Sequence, residues 1–88
     1  MKYTVKYARS IRSDLKNLSR ELVSRLEARI AEIEADPFDP RISKALKGGS
    51  GLRSSRVGQW RILYLADPET WWVVVDRIAH RSEVYRNL

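Results

Sequence analysis

Polar and apolar residues alternate from Lys2 to Tyr7, with Tyr3, Val5 and Tyr7 on one face and Lys2, Thr4 and Lys6 on the other. A period of two predicts a half-buried strand. The period then changes. Ile11, Leu15 and Leu18 recur at i, i+4 and i+7 behind Ser10, which predicts a short helix with a serine cap. Ser19 offers a second cap, and Glu21 stands in the next first turn, where the helix dipole favours an acid. Leu22, Leu26, Ile30 and Ile33 then form one apolar stripe reaching about Ala35, with Arg25, Arg29 and Glu32 on the opposite face. Pro37 and Pro40 stop the helix.

A loop with Gly48, Gly49 and Gly51 follows. Glycine-rich backbone can cradle an anion, but no GxxxxGK[ST] pattern and no helix pattern comes after it, so it reads as a flexible connection. Strand patterns return at residues 52–57 and 60–66. Asp67-Pro68-Glu69-Thr70 is a turn with proline in a preferred place. Residues 71–78 are apolar on both faces, as a strand inside a sheet should be, and residues 79–86 read as a short polar tail. The predicted order is β-α-α-β-β-β within a single domain spanning residues 1–88. That order implies a two-layer α+β fold, a helical hairpin packed on one face of a mostly antiparallel sheet. The uncovered face is the place for a ligand.

Composition narrows the chemistry. The 88 residues suffice for one modest core. Without cysteine there is no disulfide framework or thiolate zinc site, and His80 alone cannot build a multi-histidine metal centre. No metal and no small-molecule cofactor are expected. No apolar run approaches a membrane span. The alternating N-terminus is no signal peptide, so a cytoplasmic protein without membrane contact is expected.

Seventeen basic residues against eleven acidic give a net charge of +6. The excess is local: Arg41, Lys44, Lys47, Arg53, Arg56 and Arg61 lie between Arg41 and Ala66, where there is no acid. A basic surface with Trp and Tyr nearby suits nucleic acid, although a solvated basic face has the same composition. The sharpest feature is Gly58-Gln59 between two strands, which suits a type II′ hairpin turn. A two-residue loop sets Val57 opposite Trp60 and Arg56 opposite Arg61. Like charges directly opposite each other destabilise a sheet, so the pair calls for an anion. Phosphate fits the guanidinium fork two oxygens at a time.

The run Arg56-Val57-Gly58-Gln59-Trp60-Arg61-Ile62-Leu63-Tyr64, followed by a strand and by His80-Arg81-Ser82-Glu83-Val84-Tyr85-Arg86, resembles the RelE/ParE toxin superfamily, and its ending the RelE branch. The resemblance covers essentially the whole chain. It implies the toxin of a type II toxin–antitoxin pair with a cognate antitoxin protein as partner. RelE-type members cut mRNA in the ribosomal A site, so ribosome and mRNA become implied partners; ParE-type members poison DNA gyrase. By position, Arg61 resembles the arginine that binds the scissile phosphate, Arg81 the arginine after the last strand, and Tyr85 the tyrosine that stacks on a base or assists proton transfer. Arg56 matches a common basic position. The two lysines of the best-known RelE-type enzymes fall here at Leu52 and Ser54. Arg53 and Lys47 stand near enough to replace their charge, and Lys44 adds to the same basic stretch.

Metal-free RNA cleavage uses the ribose 2′-OH as nucleophile on the adjacent phosphate. It needs a proton acceptor, charge stabilisation for the phosphorane and a proton for the 5′ oxygen. Arg56, Arg61 and Arg81 suit the second task. By residue type only His80 and Tyr85 suit proton transfer. Each has a plain alternative: His80 as a strand-end residue with a backbone hydrogen bond, Tyr85 as a ring packed on the sheet. Trp60, Trp71 and Trp72 read as core or as base platforms, core being the simpler. The expected function is a ribosome-dependent mRNA endonuclease. The alternatives are a gyrase poison of the same fold and a non-catalytic RNA- or ribosome-binding domain.

Overall fold

A computed structural model describes residues 2–48 and 50–83. Among these residues five strands, β1 (Thr4–Tyr7), β2 (Lys44–Ala45), β3 (Arg53–Val57), β4 (Trp60–Asp67) and β5 (Trp72–His80), form one sheet in the order β1-β5-β4-β3-β2. Helices α1 (Ile11–Asp14) and α2 (Arg20–Ala35) lie between β1 and β2 in the chain. Only the β1–β5 pair is parallel; the other three pairs are antiparallel. The two-layer architecture is the expected one, with β5 inside the sheet.

The core lies between helices and sheet. Leu26 and Ile33 of α2 and Ile11 of α1 meet Ile62, Tyr64, Val73, Val75 and Ile78, all nearly inaccessible to solvent. Ser19 caps α2 as expected, accepting the Leu22 N–H at 3.1 Å. Ser10 does not cap α1 with its side chain; its hydroxyl reaches across to donate to the Asp76 carbonyl at 3.4 Å. Arg29, expected among the outward residues of α2, is only 24% exposed and bends over the sheet margin. Its Nη1 donates to Ser55 Oγ at 3.0 Å and to the Arg56 carbonyl at 2.6 Å.

Three further departures matter. The segment before the glycine loop holds the short β2, which pairs Lys44 with Ser54 and Ala45 with Arg53. Two residues carry no readable period. β5 runs on to His80, so the tail begins later than its polarity suggested. Trp71 and Trp72 are 39% and 44% exposed rather than core. The turn holds Trp71 at φ +61°, where its ring packs on Tyr3 at 4.7 Å, while Trp72 turns to the uncovered face beneath Lys6 at 4.9 Å.

Candidate nucleic-acid interface

The hairpin register is the one a two-residue turn imposes: Val57 faces Trp60 and Arg56 faces Arg61. Gly58 has φ +60° and Gln59 is not at positive φ, the signature of a type II′ turn. Pleating sends Val57 and Trp60 to the helices, so Arg56 and Arg61 share the uncovered face. Arg56 Nε donates to the Gly58 carbonyl at 3.2 Å, and Arg61 Nη1 donates to the same oxygen at 3.4 Å and to the Trp60 carbonyl at 3.1 Å. The two cations therefore lean on the dipole of their own turn.

Lys44 extends the row. Its partner Ser54 lies two residues from Arg56 on the same face of β3, so a cation stands on each of three neighbouring strands. A groove of about 610 Å³ is lined by Arg29, Arg41, Lys44, Ser54, Arg56 and Arg61, among others. Arg41 is partly neutralised there, its guanidinium gripping Asp39 through Nε at 3.2 Å and Nη2 at 2.9 Å. That hydrogen bonding holds the Asp39 carboxyl below its ordinary range.

Arg53 stands apart from this row. It pairs with Tyr64, a core residue, so its side chain leaves on the helix side. There Nε donates to Ser43 Oγ at 3.1 Å and the guanidinium lies 5.4 Å from the Phe38 ring centroid. Lys47 sits in the exposed β2–β3 connection, at the end of β3 away from Arg56. Neither comes close to the Arg56–Arg61 pair. Leu52 is buried with Leu63 and Ala79 on the uncovered face, an apolar patch where the resemblance looks for a lysine.

Arg81 is tied to the turn, its backbone N–H donating to the Gln59 carbonyl at 2.7 Å. His80 faces Trp60 on the helix side, the rings edge to face at 5.6 Å. Its Nδ1 accepts the Ser82 N–H at 3.2 Å and lies 2.9 Å from Ser82 Oγ. His80 thus turns away from the arginine pair. Tyr85 lies outside the described residues. Sequence reasoning passed over Arg29 and Arg77. Arg29 supports the Arg56 carbonyl from 27 residues away, for which no local pattern exists. Arg77 faces Leu63 on the uncovered side because β5 changes phase at a bulge.

A family described as "ParE toxin of type II toxin-antitoxin system" matches residues 5–85. The chain belongs to this toxin family, within the RelE/ParE superfamily. It is 35% identical to Toxin RelG of Mycobacterium tuberculosis over 88 residues, spanning 98% of this chain and 99% of that protein. The toxin–antitoxin complex RelBE2 of the same organism contains a chain that is 34% identical, with a TM-score of 0.77 over 92% of this chain and 100% of that one. The archaeal RelE–RelB complex from Pyrococcus horikoshii OT3 shares the fold at 19% identity, with a TM-score of 0.80 over 96% of this chain and 100% of that one.

Proposed function

We propose that this toxin is a ribosome-dependent mRNA endonuclease that arrests translation by metal-free 2′-OH attack. The Arg56–Arg61 pair carries the reading. Two guanidinium groups face each other on an uncovered sheet face, and no carboxylate pairs with either among the described residues. A phosphate entering between them relieves their repulsion and gains charge-assisted bonds from both. As the phosphorane forms, its added charge strengthens those bonds, the condition for transition-state stabilisation. Arg81, its N–H tied to the Gln59 carbonyl, adds a further cation beside the turn. Tyr85 is assigned the proton transfer. The related RelBE2 and RelE–RelB structures are complexes with antitoxins, which supports a cognate antitoxin for this chain. An acidic antitoxin segment would owe much of its association rate to the charge of this face, so salt should slow binding more than it speeds release.

The gyrase-poison reading has two observations in its favour: the family that matches is described as a ParE toxin, and Leu52 and Ser54 replace the paired lysines, with Leu52 buried in an apolar patch. Purified protein added to mRNA-programmed ribosomes separates the two. Cleavage of the bound message is expected. Intact message, with replication stopping before translation after induction in cells, would transfer the toxin to the gyrase reading.

A further inference from the structure

Strand β5 changes face partway along. Val73 and Val75 pack on the helices, which puts odd-numbered residues inside; after the irregularity Ile78 packs there instead, so even-numbered residues are inside. The register locates the switch: Leu63 faces Arg77 and Tyr64 faces Val75, leaving Asp76 as the extra residue of a β-bulge. Without the bulge, strict alternation through Asp76 would drive the Arg77 side chain into the apolar core and Ile78 out of it, a costly exchange. With it, Arg77 and Ala79 open onto the face of Arg61, and the next residue past the strand, Arg81, is tied beside the turn by its N–H to the Gln59 carbonyl.

A bulge leaves backbone groups without ladder partners. Here α1 supplies them. Asp14 Oδ2 accepts the Ile78 N–H at 2.9 Å, and Ser10 Oγ donates to the Asp76 carbonyl at 3.4 Å. The stronger tie pairs a carboxylate with a backbone amide, a charge-assisted bond. One tie comes from the last residue of α1 and the other from the residue just before the helix, and they grip the two sides of the bulge.

We propose that Asp14 is a positioning residue: by pinning the bulge at Asp76 it fixes the phase of β5 and so delivers Arg77 and Arg81 to the phosphate site around Arg61. What that site does rests on the endonuclease reading above; the phase of the strand does not. The full 88-residue chain carrying Asp14→Ala should show exchange of the Ile78 amide accelerated roughly 10-fold or more over the β3 and β4 amides. Cross-strand NMR contacts for Arg61–Ala79 and Leu63–Arg77 should weaken with it. Asp14→Asn keeps an oxygen acceptor and should retain both signals. On programmed ribosomes Asp14→Ala should lower cleavage on the order of 10²-fold, the usual consequence of a misplaced group. In an Arg77→Ala/Arg81→Ala background it should cost little more, because it acts through those two arginines. Wild-type Ile78 exchange and register in Asp14→Ala would overturn the proposal, as would full additivity with the Arg77→Ala/Arg81→Ala pair. If Asp14→Ala does not fold, Ser10→Ala removes the weaker tie alone; it should loosen Ile78 to a smaller degree, and an unchanged amide would count equally against the proposal. Should the wild-type chain fail to cut ribosome-bound mRNA, exchange and register still decide the role of Asp14.

Discussion

Arg56 and Arg61 stand directly opposite each other on β3 and β4, and both guanidinium groups donate to the single carbonyl oxygen of Gly58. A sheet gains nothing from two facing cations. One carbonyl dipole offsets part of their repulsion, and an incoming anion supplies the remainder.

Arg61→Ala should therefore separate function from stability. Melting should occur at or slightly above the wild-type temperature, since a repulsive pair is removed. Cleavage of ribosome-bound mRNA should fall on the order of 10²–10³-fold, the scale for losing one donor to a developing charge. A variant that melts normally and cuts at the wild-type rate would remove the phosphate role from Arg61.

Proton transfer is expected from Tyr85 rather than His80, whose ring turns to Trp60 and whose Nδ1 is held by Ser82. Tyr85→Phe should lower cleavage ~10²-fold, within the range for a general acid or base. His80→Gln should change the rate only a few-fold. If Tyr85→Phe cuts normally, the tyrosine contributes its ring alone, as a stacking platform.

Arg29→Met should destabilise the domain by about 1–3 kcal/mol, the cost of leaving partly buried acceptors unpaired. The motive is its hold on Ser55 Oγ and the Arg56 carbonyl. Urea denaturation measures it. Arg25→Ala, on the exposed part of the same helix, serves as the control and should cost little.

Asp39→Asn should tighten binding to a short RNA. The asparagine keeps an acceptor for the Arg41 N–H but releases the guanidinium into the groove. Exposed ion pairs contribute ~0.2–1 kcal/mol, so a gain of roughly 1.4- to 5-fold at low salt is expected. It should fade as salt rises. Fluorescence anisotropy across a salt series would reveal an unchanged affinity if Arg41 faces no phosphate.

The hairpin was legible because its register follows from chemistry only two residues long. Once Gly58-Gln59 is a turn, the partners Val57–Trp60 and Arg56–Arg61 are forced. Arg53 shows the limit of the same reasoning. Its charge suits a phosphate, but parity along β3 counted from Arg56 sends it to the other face, where Ser43 and Phe38 hold it. Charge composition carries no information about the pleat. The spacing of Val73, Val75 and Ile78 does carry a phase change, which the continuous apolar run from Trp71 conceals. Arg29 and Asp14 act on residues 27 and 64 positions away, and no local period encodes such ties. The short β2 owes its existence to β3 more than to its own residues.

The sheet order has a consequence for how the molecule comes into being. β5 fills the slot between β1 and β4, although it is the last of the five strands to be synthesised. Until residues 72–80 leave the exit tunnel, β1 has no neighbour and β4 keeps a raw margin. Helices and the central hairpin can form early from near neighbours, but the parallel pairing of the first strand with the fifth must wait. A nascent chain thus carries Arg56 and Arg61 on an unfinished scaffold, and the weapon is armed only when its last strand slides in between the first and the fourth.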